Sequence, residues 1–307
     1  MYDLSIESEE YLWFITTRTL NQKLWFINNS KLEYCILAFL AKYSTLYKVE
    51  LYAFCLMGNH YHLLARFPNK NRASFLRAFN SIIAKLVATH QKSYPGGKLW
   101  GRRAKVQAVP LTQCAVNTLL YSALNPTSTR LTENPKDYPG YNSFFDAINR
   151  NIKTFKILNK TAFYRRRQFD SKARKEDFIE TYSLRFTTLP SYENASDEEY
   201  KQDLLKRYKE RRIQIINDYK AQGRSFPNLK NILNIKTGAR PFNSKISTRS
   251  SKRPLILTSC YQTKSNYLSW YFSILGQFRL AAEKLRKGLS DFFFPAGTYR
   301  PIHLNPI

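Results

Sequence analysis

The order of extended and helical patterns between residues 12 and 124 constrains the fold more than any other feature of this sequence. Runs rich in β-branched and aromatic residues predict strands, and apolar residues three and four apart predict helices. The patterns alternate as β-α-β-β-α-β-α, over residues 12–17, 31–47, 49–56, 60–67, 72–92, 99–109 and 112–124. Two interleaved βαβ units predict an α+β fold, a ferredoxin-like sandwich with helices on one face of an antiparallel sheet. Because that fold serves many functions, function must be inferred from side chains.

The composition changes near residue 150, which predicts two domains, residues 1–150 and residues 151–307. The second begins with a dense group of cations in which Asp170 is the only acid. Its candidate DNA-binding residues are Lys153, Lys156, Arg165, Arg166, Arg167, Lys172, Arg174 and Lys175. Helical patterns follow at 196–220 and 265–285, and the stretch from Tyr219 to Ala282 contains no acid. We expect a basic, mainly helical C-terminal extension.

Net charge narrows the class of partner. There are 49 Lys and Arg against 22 Asp and Glu, a formal charge of +27. Such a surplus favours a polyanionic partner, either nucleic acid or an acidic membrane surface. The 21 Tyr and 21 Phe favour nucleic acid, since aromatic rings stack on unpaired bases, although many of these rings belong to the core.

The location in the cell is predicted from what the sequence does not contain. There is no run of about 20 apolar residues, as a membrane-spanning helix would need, and no apolar signal segment. The four cysteines are not spaced as a metal knuckle or a disulfide framework. We expect a protein of the cytosol, where DNA and RNA are available, and not of a membrane.

Two histidines at a spacing of two lie on the third predicted strand. Side chains at i and i+2 of a strand point to the same face, so His60 and His62 are placed side by side and Tyr61 points away. The pair could bind one metal ion. The residues alone are equally compatible with a chance pair on a solvated sheet face.

A polar stripe marks the last predicted helix of the first domain. Gln113, Asn117, Tyr121 and Asn125 recur every four residues, whereas the rest of the helix is apolar. A stripe of this kind could carry a reactive tyrosine. The residues of this helix alone favour the simpler interpretation, an amphipathic helix whose Tyr packs on the surface.

Together, the two segments resemble the tyrosine transposases of bacterial insertion sequences, most closely the REP-associated tyrosine transposases. That family has a His-hydrophobic-His motif after a Met-Pro-Asn-like turn, and residues 57–62 read Met-Gly-Asn-His-Tyr-His. It also has a tyrosine four residues before an Asn-Pro pair, here Tyr121 before Asn125-Pro126. A proline-containing polar stretch and a Tyr followed by small residues come next, here at 132–139 and 141–143. The resemblance spans about residues 10–147.

The sequence departs from the family pattern at two places. Gly58 stands where the family usually has proline, which we expect to alter only the turn. Residues 127–130 read Thr-Ser-Thr-Arg in place of a Val-Arg-Ala-Gly-like run, which affects the local helix end and its DNA contacts.

The resemblance implies an HUH sandwich and a metal-dependent nicking reaction. Tyr121 would attack single-stranded DNA and form a 5′-phosphotyrosine link, with His60, His62 and Asn125 as ligands of Mg²⁺ or Mn²⁺. The partner would be single-stranded DNA, with a hairpin-forming substrate plausible, bound by a monomer or a homodimer. Two alternatives stay open: a rolling-circle initiator or relaxase, and a non-catalytic nucleic-acid-binding protein that uses its sheet face as RNA-recognition modules do.

Overall fold

The computed structural model describes residues 4–241 and 254–301, and it confirms the order of elements predicted between residues 12 and 124. Its strands are β1 (Leu12–Arg18), β2 (Glu50–Met57), β3 (His60–Arg66) and β4 (Lys105–Val109). Its first helices are α1 (Ser30–Leu46), α2 (Arg72–His90) and α3 (Gln113–Ala123). The N-cap of α1 is Asn29, whose side chain accepts the backbone N–H of Leu32. This cap fixes the start of the helix at Ser30.

The four strands form one antiparallel sheet in the order β2-β3-β1-β4. This is the strand order of a ferredoxin-like sandwich, so the predicted fold class is confirmed. In the central pair, Thr16 of β1 lies opposite His62 of β3, and Arg18 lies opposite His60. Residues directly opposite each other share a sheet face, so these four side chains lie on the same side.

Different helices cover the two faces of the sheet. The helices α1 and α2 pack on the face that carries Ile15 and Leu63. On the opposite face, α3 packs against Phe14 and Leu64. Helices on one face only were expected, and this part of the prediction is wrong because α3 covers the second face. Because Val116, Leu119 and Leu120 of α3 are also apolar, this helix needs a buried surface of its own, worth about 1.5–3 kcal/mol for each such side chain.

The chain beyond α3 is mainly helical. It contains α4 (Asn125–Ser128), α5 (Phe144–Ile148), β5 (Lys153–Leu158), α6 (Lys160–Arg167) and β6 (Ile179–Leu184). These are followed by α7 (Asp197–Ala221), α8 (Leu229–Leu233) and α9 (Tyr261–Arg286). The antiparallel pair β5–β6 was not expected. In α7, Ser196 and Glu199 form a reciprocal capping box, which explains why the helix begins where the acidic residues indicate.

The C-terminal region packs around the sheet domain. Residues 153–184, which we name the basic module, dock on the outer side of α1, where Phe155 and Leu184 join its apolar core. The helix α7 packs over α4 and α5 on the other side. Ala108 of β4 exchanges backbone hydrogen bonds with residues 255 and 257, and at the β2 edge Thr187 donates to Leu51. Both sheet edges are thereby covered, which protects them from pairing with other chains.

The acid-free stretch of the sequence runs from Tyr219 to Ala282, and one part of it, residues 242–253, lies outside the described residues. Within the ranges that the structure describes, no helix is both long enough and apolar enough to cross a membrane.

Candidate active site

The centre of the site is the pair His60 and His62 on β3. Both side chains point to the α3 face of the sheet and are almost fully buried. Their Nε2 atoms lie 3.1 Å apart. Two nitrogens that each bind one ion at about 2.1 Å, at a right angle, are separated by about 3.0 Å. The arrangement of the pair therefore fits two neighbouring ligands of one metal ion.

The other ring nitrogens are held by side-chain oxygens. Asn59 donates from Nδ2 to the Gln22 carbonyl, which directs its Oδ1 towards His60 Nδ1, 2.6 Å away. Since an amide oxygen only accepts, Nδ1 carries the proton and Nε2 of His60 directs its lone pair towards His62 Nε2. His62 Nδ1 lies 3.0 Å from the Thr16 hydroxyl, which can donate or accept. Oxygen partners of this kind orient metal-binding histidines.

The surroundings of His60 favour its neutral form. Burial lowers the pKa of His60 well below its ordinary value, and the neighbouring His62 and Arg18 lower it further. The neutral imidazole is the form that binds a metal ion. Among the described residues, no three His, Cys, Asp or Glu side chains group as a metal site, so a further ligand from these residues would have to be of another type.

Tyr121 lies on α3 directly beside this pair. Its ring centroid is 5.7 Å from that of His62 and 5.8 Å from that of Phe14, both in edge-on contacts. Its relative exposure of 50% is high for the α3 face, where the neighbouring Leu119 and Leu120 are buried. A tyrosine that contacts the histidine pair and is still open to solvent can be reached by a large substrate.

Asn125 begins the short helix α4 and does not continue the exposed stripe. The helix α3 ends at Ala123, because Pro126 lacks a backbone N–H and disfavours a helical residue before it. Gln113 and Asn117 stay on the accessible side with Tyr121, whereas Asn125 is buried. Its Oδ1 accepts no hydrogen bond from the described residues. A buried amide oxygen without a partner suits a bound ion or an ordered water.

The fold and the motifs are consistent with the comparison to known families. Residues 15–114 match the family model described as IS200-like transposase. Over these residues the chain is similar to the IS200-like transposases. The match extends from β1 to the first residues of α3, so it includes both histidines and ends before Tyr121. The insertion-sequence transposase family expected from the motifs is confirmed.

Among solved structures, the chain is similar to a REP-associated tyrosine transposase bound to a REP hairpin. The two are 16% identical over 47% of this chain and 82% of the other, with a TM-score of 0.40. A likeness at that level carries no argument about this chain. None of the curated proteins compared with the sequence matches it.

Within the transposase-family region, the structure places basic residues next to the histidine pair that the sequence did not single out. Arg18 lies opposite His60, and Lys105 of β4 lies opposite Thr16 on the same sheet face. Arg102 and Arg103 precede β4 in a loop whose Gly101 N–H donates to the Arg18 carbonyl. The run from Gly101 to Lys105 is visible in the sequence, but only the strand register places it beside His60.

The predicted DNA-binding residues lie elsewhere. All eight are exposed on the basic module, which packs on α1 and so lies across the sheet from the histidine pair. Three of the eight are paired with an acid: Lys153 with Asp146, Arg166 with Asp170, and Arg174 with Asp177. Tyr164 and Phe169 are exposed among these cations. Cations interleaved with open rings are typical of single-strand binding surfaces.

Gly58, where the family usually has proline, lies in the turn between β2 and β3. A Cβ at this position would come within 2.7 Å of Leu24 and 2.8 Å of Ile27. A larger residue would therefore displace these side chains. The glycine lets residues 24–27 pack closely over the turn that leads into His60.

Proposed function

We propose that this chain nicks and rejoins single-stranded DNA, with Tyr121 as the nucleophile. The observation that carries the proposal is the contact between the half-exposed Tyr121 ring and His62. The contact supports the proposal because the Tyr121 side chain then lies next to two nitrogens spaced as metal ligands. Covalent catalysis needs a nucleophile and a group that stabilises charge at the same phosphate.

The reaction exchanges one phosphoester for another. The Tyr121 oxygen attacks the phosphorus and its phenolic proton passes to solvent, while the bond to the 3′ oxygen breaks and that oxygen takes up a proton. The 5′ end of the DNA is then linked to Tyr121, and the other end is a free 3′-OH. Since an ester bond is kept throughout, the attack of a 3′-OH on this link rejoins a strand without ATP.

We propose that His60 and His62 hold a divalent ion through Nε2, and Asn125 through its unpartnered Oδ1. Bound there, Mg²⁺ or Mn²⁺ would polarise the scissile phosphate and stabilise its developing negative charge. Asn59 and Thr16 orient the two imidazoles for that role. Because imidazole suits Mn²⁺ better than Mg²⁺, we expect half-maximal activity at a lower concentration of Mn²⁺.

We propose a division of labour between the two parts of the chain. Residues 1–150 carry the chemistry, and residues 151–307, with the basic module, hold the DNA by phosphate contacts. The substrate is single-stranded DNA, with a hairpin plausible, bound by a monomer or homodimer in the bacterial cytoplasm near the nucleoid. The exposed cations of the module and its open rings support this assignment.

The alternatives receive less support. An RNA-recognition module needs one open sheet face, and here α1 and α2 cover one face and α3 covers the other. A relaxase or rolling-circle initiator often has a third histidine at the site. His90 is the remaining histidine among the described residues, and it contacts Cys35 of α1, on the side opposite His62.

The test is a search for a covalent protein–DNA adduct. Labelled single-stranded oligonucleotides tiled across both flanks of the gene would be incubated with Mg²⁺ or Mn²⁺, and the products separated under denaturing conditions. We expect a metal-dependent adduct that Tyr121→Phe reduces by about a thousandfold or more. Tyr164→Phe is the matched control, since Tyr164 is 60% exposed but lies on the basic module.

An adduct that persists in Tyr121→Phe would show that another tyrosine is the nucleophile. Tight binding by the wild type without an adduct for any oligonucleotide or metal would favour the non-catalytic alternative.

A further inference from the structure

Arg211 of α7 reaches the accessible side of α3, one turn from Tyr121. Its Nη2 donates to Asn117 Oδ1 at 2.5 Å. Asn117 and Tyr121 are four residues apart on the same helix face, about 6 Å along the axis. Arg211 lies outside the residues that match the family model. The C-terminal region therefore supplies a cation to the immediate surroundings of Tyr121.

The contacts of α7 on both sides of Arg211 fix the position of this residue. Eight residues after Arg211, the Tyr219 hydroxyl donates to the Ser128 carbonyl at the end of α4. The two contacts lie on either side of Tyr121 along the chain, so α7 runs past it in the same direction as α3. Tyr208 stacks on Phe144 with ring centroids 4.5 Å apart, which anchors the N-terminal half of α7. Arg211 is thus held on a packed helix and not on a loose loop.

A comparison with Arg207, one turn earlier on α7, shows what is unusual about Arg211. Arg207 is 2.7 Å from the Asp203 carboxylate, which neutralises it. Arg211 is half-buried and has no acidic partner among the described residues; its hydrogen bond goes to a neutral amide. Burial lowers the pKa of Arg211, and the positive charge of the nearby Arg207 lowers it further. A guanidinium has five N–H donors in a planar fork that suits phosphate.

We propose that Arg211 binds the DNA backbone phosphate next to the one that Tyr121 attacks. This inference rests on the proposed nicking function and adds a residue of the C-terminal region to that site. Asn117 positions the guanidinium before DNA arrives, and a phosphate replaces the acid that Arg211 lacks. The proposal concerns the strand being cut and is distinct from the binding proposed for the basic module.

The test is a scan with neutral phosphates. Single methylphosphonates would be placed one at a time around the cut site of the oligonucleotide that gives the adduct. Binding would be measured with Tyr121→Phe protein, so that no DNA is consumed, and adduct formation with Tyr121 intact. In both backgrounds Arg211 would be compared with Arg211→Ala, Arg211→Lys and the control Arg207→Ala.

We expect one methylphosphonate next to the cut site to weaken binding by wild-type Arg211 by about tenfold to a hundredfold. Arg211→Ala should bind unmodified DNA that much more weakly and lose its sensitivity to that one position only. For Arg211→Ala, the slope of the logarithm of the binding constant against the logarithm of the salt concentration should be shallower by about 0.7, the value for one phosphate on a single strand. Arg211→Lys should recover part of the affinity, and Arg207→Ala should keep the wild-type pattern.

Each other outcome is decisive. If Arg211→Ala is as sensitive as wild type at every position, the inference is wrong although nicking by Tyr121 stands. If no oligonucleotide gives an adduct, the scan is made along the one that binds most tightly, and a loss in binding at one position that depends on Arg211 would mean that Arg211 binds phosphate although the nicking proposal fails. If Arg211→Ala melts at a much lower temperature, Arg211→Lys decides, since a role in folding alone predicts no link to one phosphate. Absence of binding to every oligonucleotide would overturn both proposals.

Discussion

The two sides of the sheet differ in how their functional residues are distributed along the chain. On the α1 side, the basic module carries nine exposed cations in one continuous stretch, residues 153–175. On the α3 side, the site takes His60 from β3, Tyr121 from α3 and Arg211 from α7. The first surface depends on local composition and the second on strand register and helix packing. Charge density along the sequence therefore points to a candidate nucleic-acid surface, but it does not locate the candidate active site.

The same contrast appears in the charge balance. Residues 151–307 hold 31 Lys and Arg against 13 Asp and Glu, whereas residues 1–150 hold 18 against 9. Most of the surplus positive charge thus lies outside the part that carries the histidine pair. If the division of labour is correct, substitutions on the two sides should separate the chemical step from DNA affinity.

The largest expected difference is between two histidines on opposite sides of the sheet. His62→Ala removes one of two ligand nitrogens and should reduce the metal-dependent adduct by about a hundredfold or more. His90→Ala should leave it unchanged, since His90 packs against Cys35 on the α1 side. The measurement is the yield of covalent adduct against metal concentration. Equal losses in the two variants would mean that the α3 side has no special role.

Part of this arrangement could be predicted from the sequence. The period-two spacing places His60 and His62 on one face, and the four-residue stripe places Gln113, Asn117 and Tyr121 together, as the structure shows. The burial of Asn125 was not predicted, because the sequence does not show that the residues after Ala123 pack as the separate short helix α4. The prediction that Lys153 to Lys175 bind DNA stays a proposal.

Contacts between distant parts of the chain could not be predicted. The strands β5 and β6 pair with each other, and their residues Phe155 and Leu184 pack in the same apolar cluster as α1. The periodicity of either strand alone does not predict this packing. Likewise, Arg211 is one of many cations on α7. Only the packing of that helix beside Asn117 shows that Arg211 lies near Tyr121. Tertiary packing determines the position of the β5–β6 pair and that of Arg211, and it cannot be inferred directly from a single sequence.

A smaller effect is expected from the basic module. Replacing Arg165, Arg166 and Arg167 by Gln removes three exposed cations and should weaken DNA binding by about tenfold. The slope of the logarithm of the binding constant against the logarithm of the salt concentration should become shallower by up to about 2. The rate of adduct formation at saturating DNA should not change. Filter binding at several salt concentrations and single-turnover cleavage would measure the two quantities.

The control for the module removes the same charge elsewhere. The C-terminal end of α9 offers three exposed cations, Lys284, Arg286 and Lys287. If Gln at these positions weakens binding as much as it does on the module, net charge alone sets the affinity and the module is not a specific surface.

The smallest expected effect concerns the contact that holds the basic module on α1. Lys42 Nζ donates to Glu180 Oε2 at 2.6 Å, and this bond lowers the pKa of the Glu180 carboxyl. A lowered carboxyl pKa means that the pair stabilises the fold above the ordinary carboxyl range, and that this contribution is lost as the pH falls through the lowered value. Relative exposures of 18% and 33% leave both side chains partly solvated, so we expect only about 0.2–1 kcal/mol.

Lys42→Met should therefore lower the free energy of unfolding by that amount at about pH 7 and by less at about pH 3. Denaturant unfolding at the two pH values measures the difference. Lys31→Met is the control, since Lys31 is an exposed cation on the same helix without an acid partner among the described residues. A loss of the same size at both pH values would show that the Lys42 stem packs on Tyr182, whose ring lies 5.2 Å from its ammonium, and that the ion pair contributes little. In that case apolar contacts such as Phe155 against Tyr34 would hold the module on α1, and its attachment would be insensitive to pH.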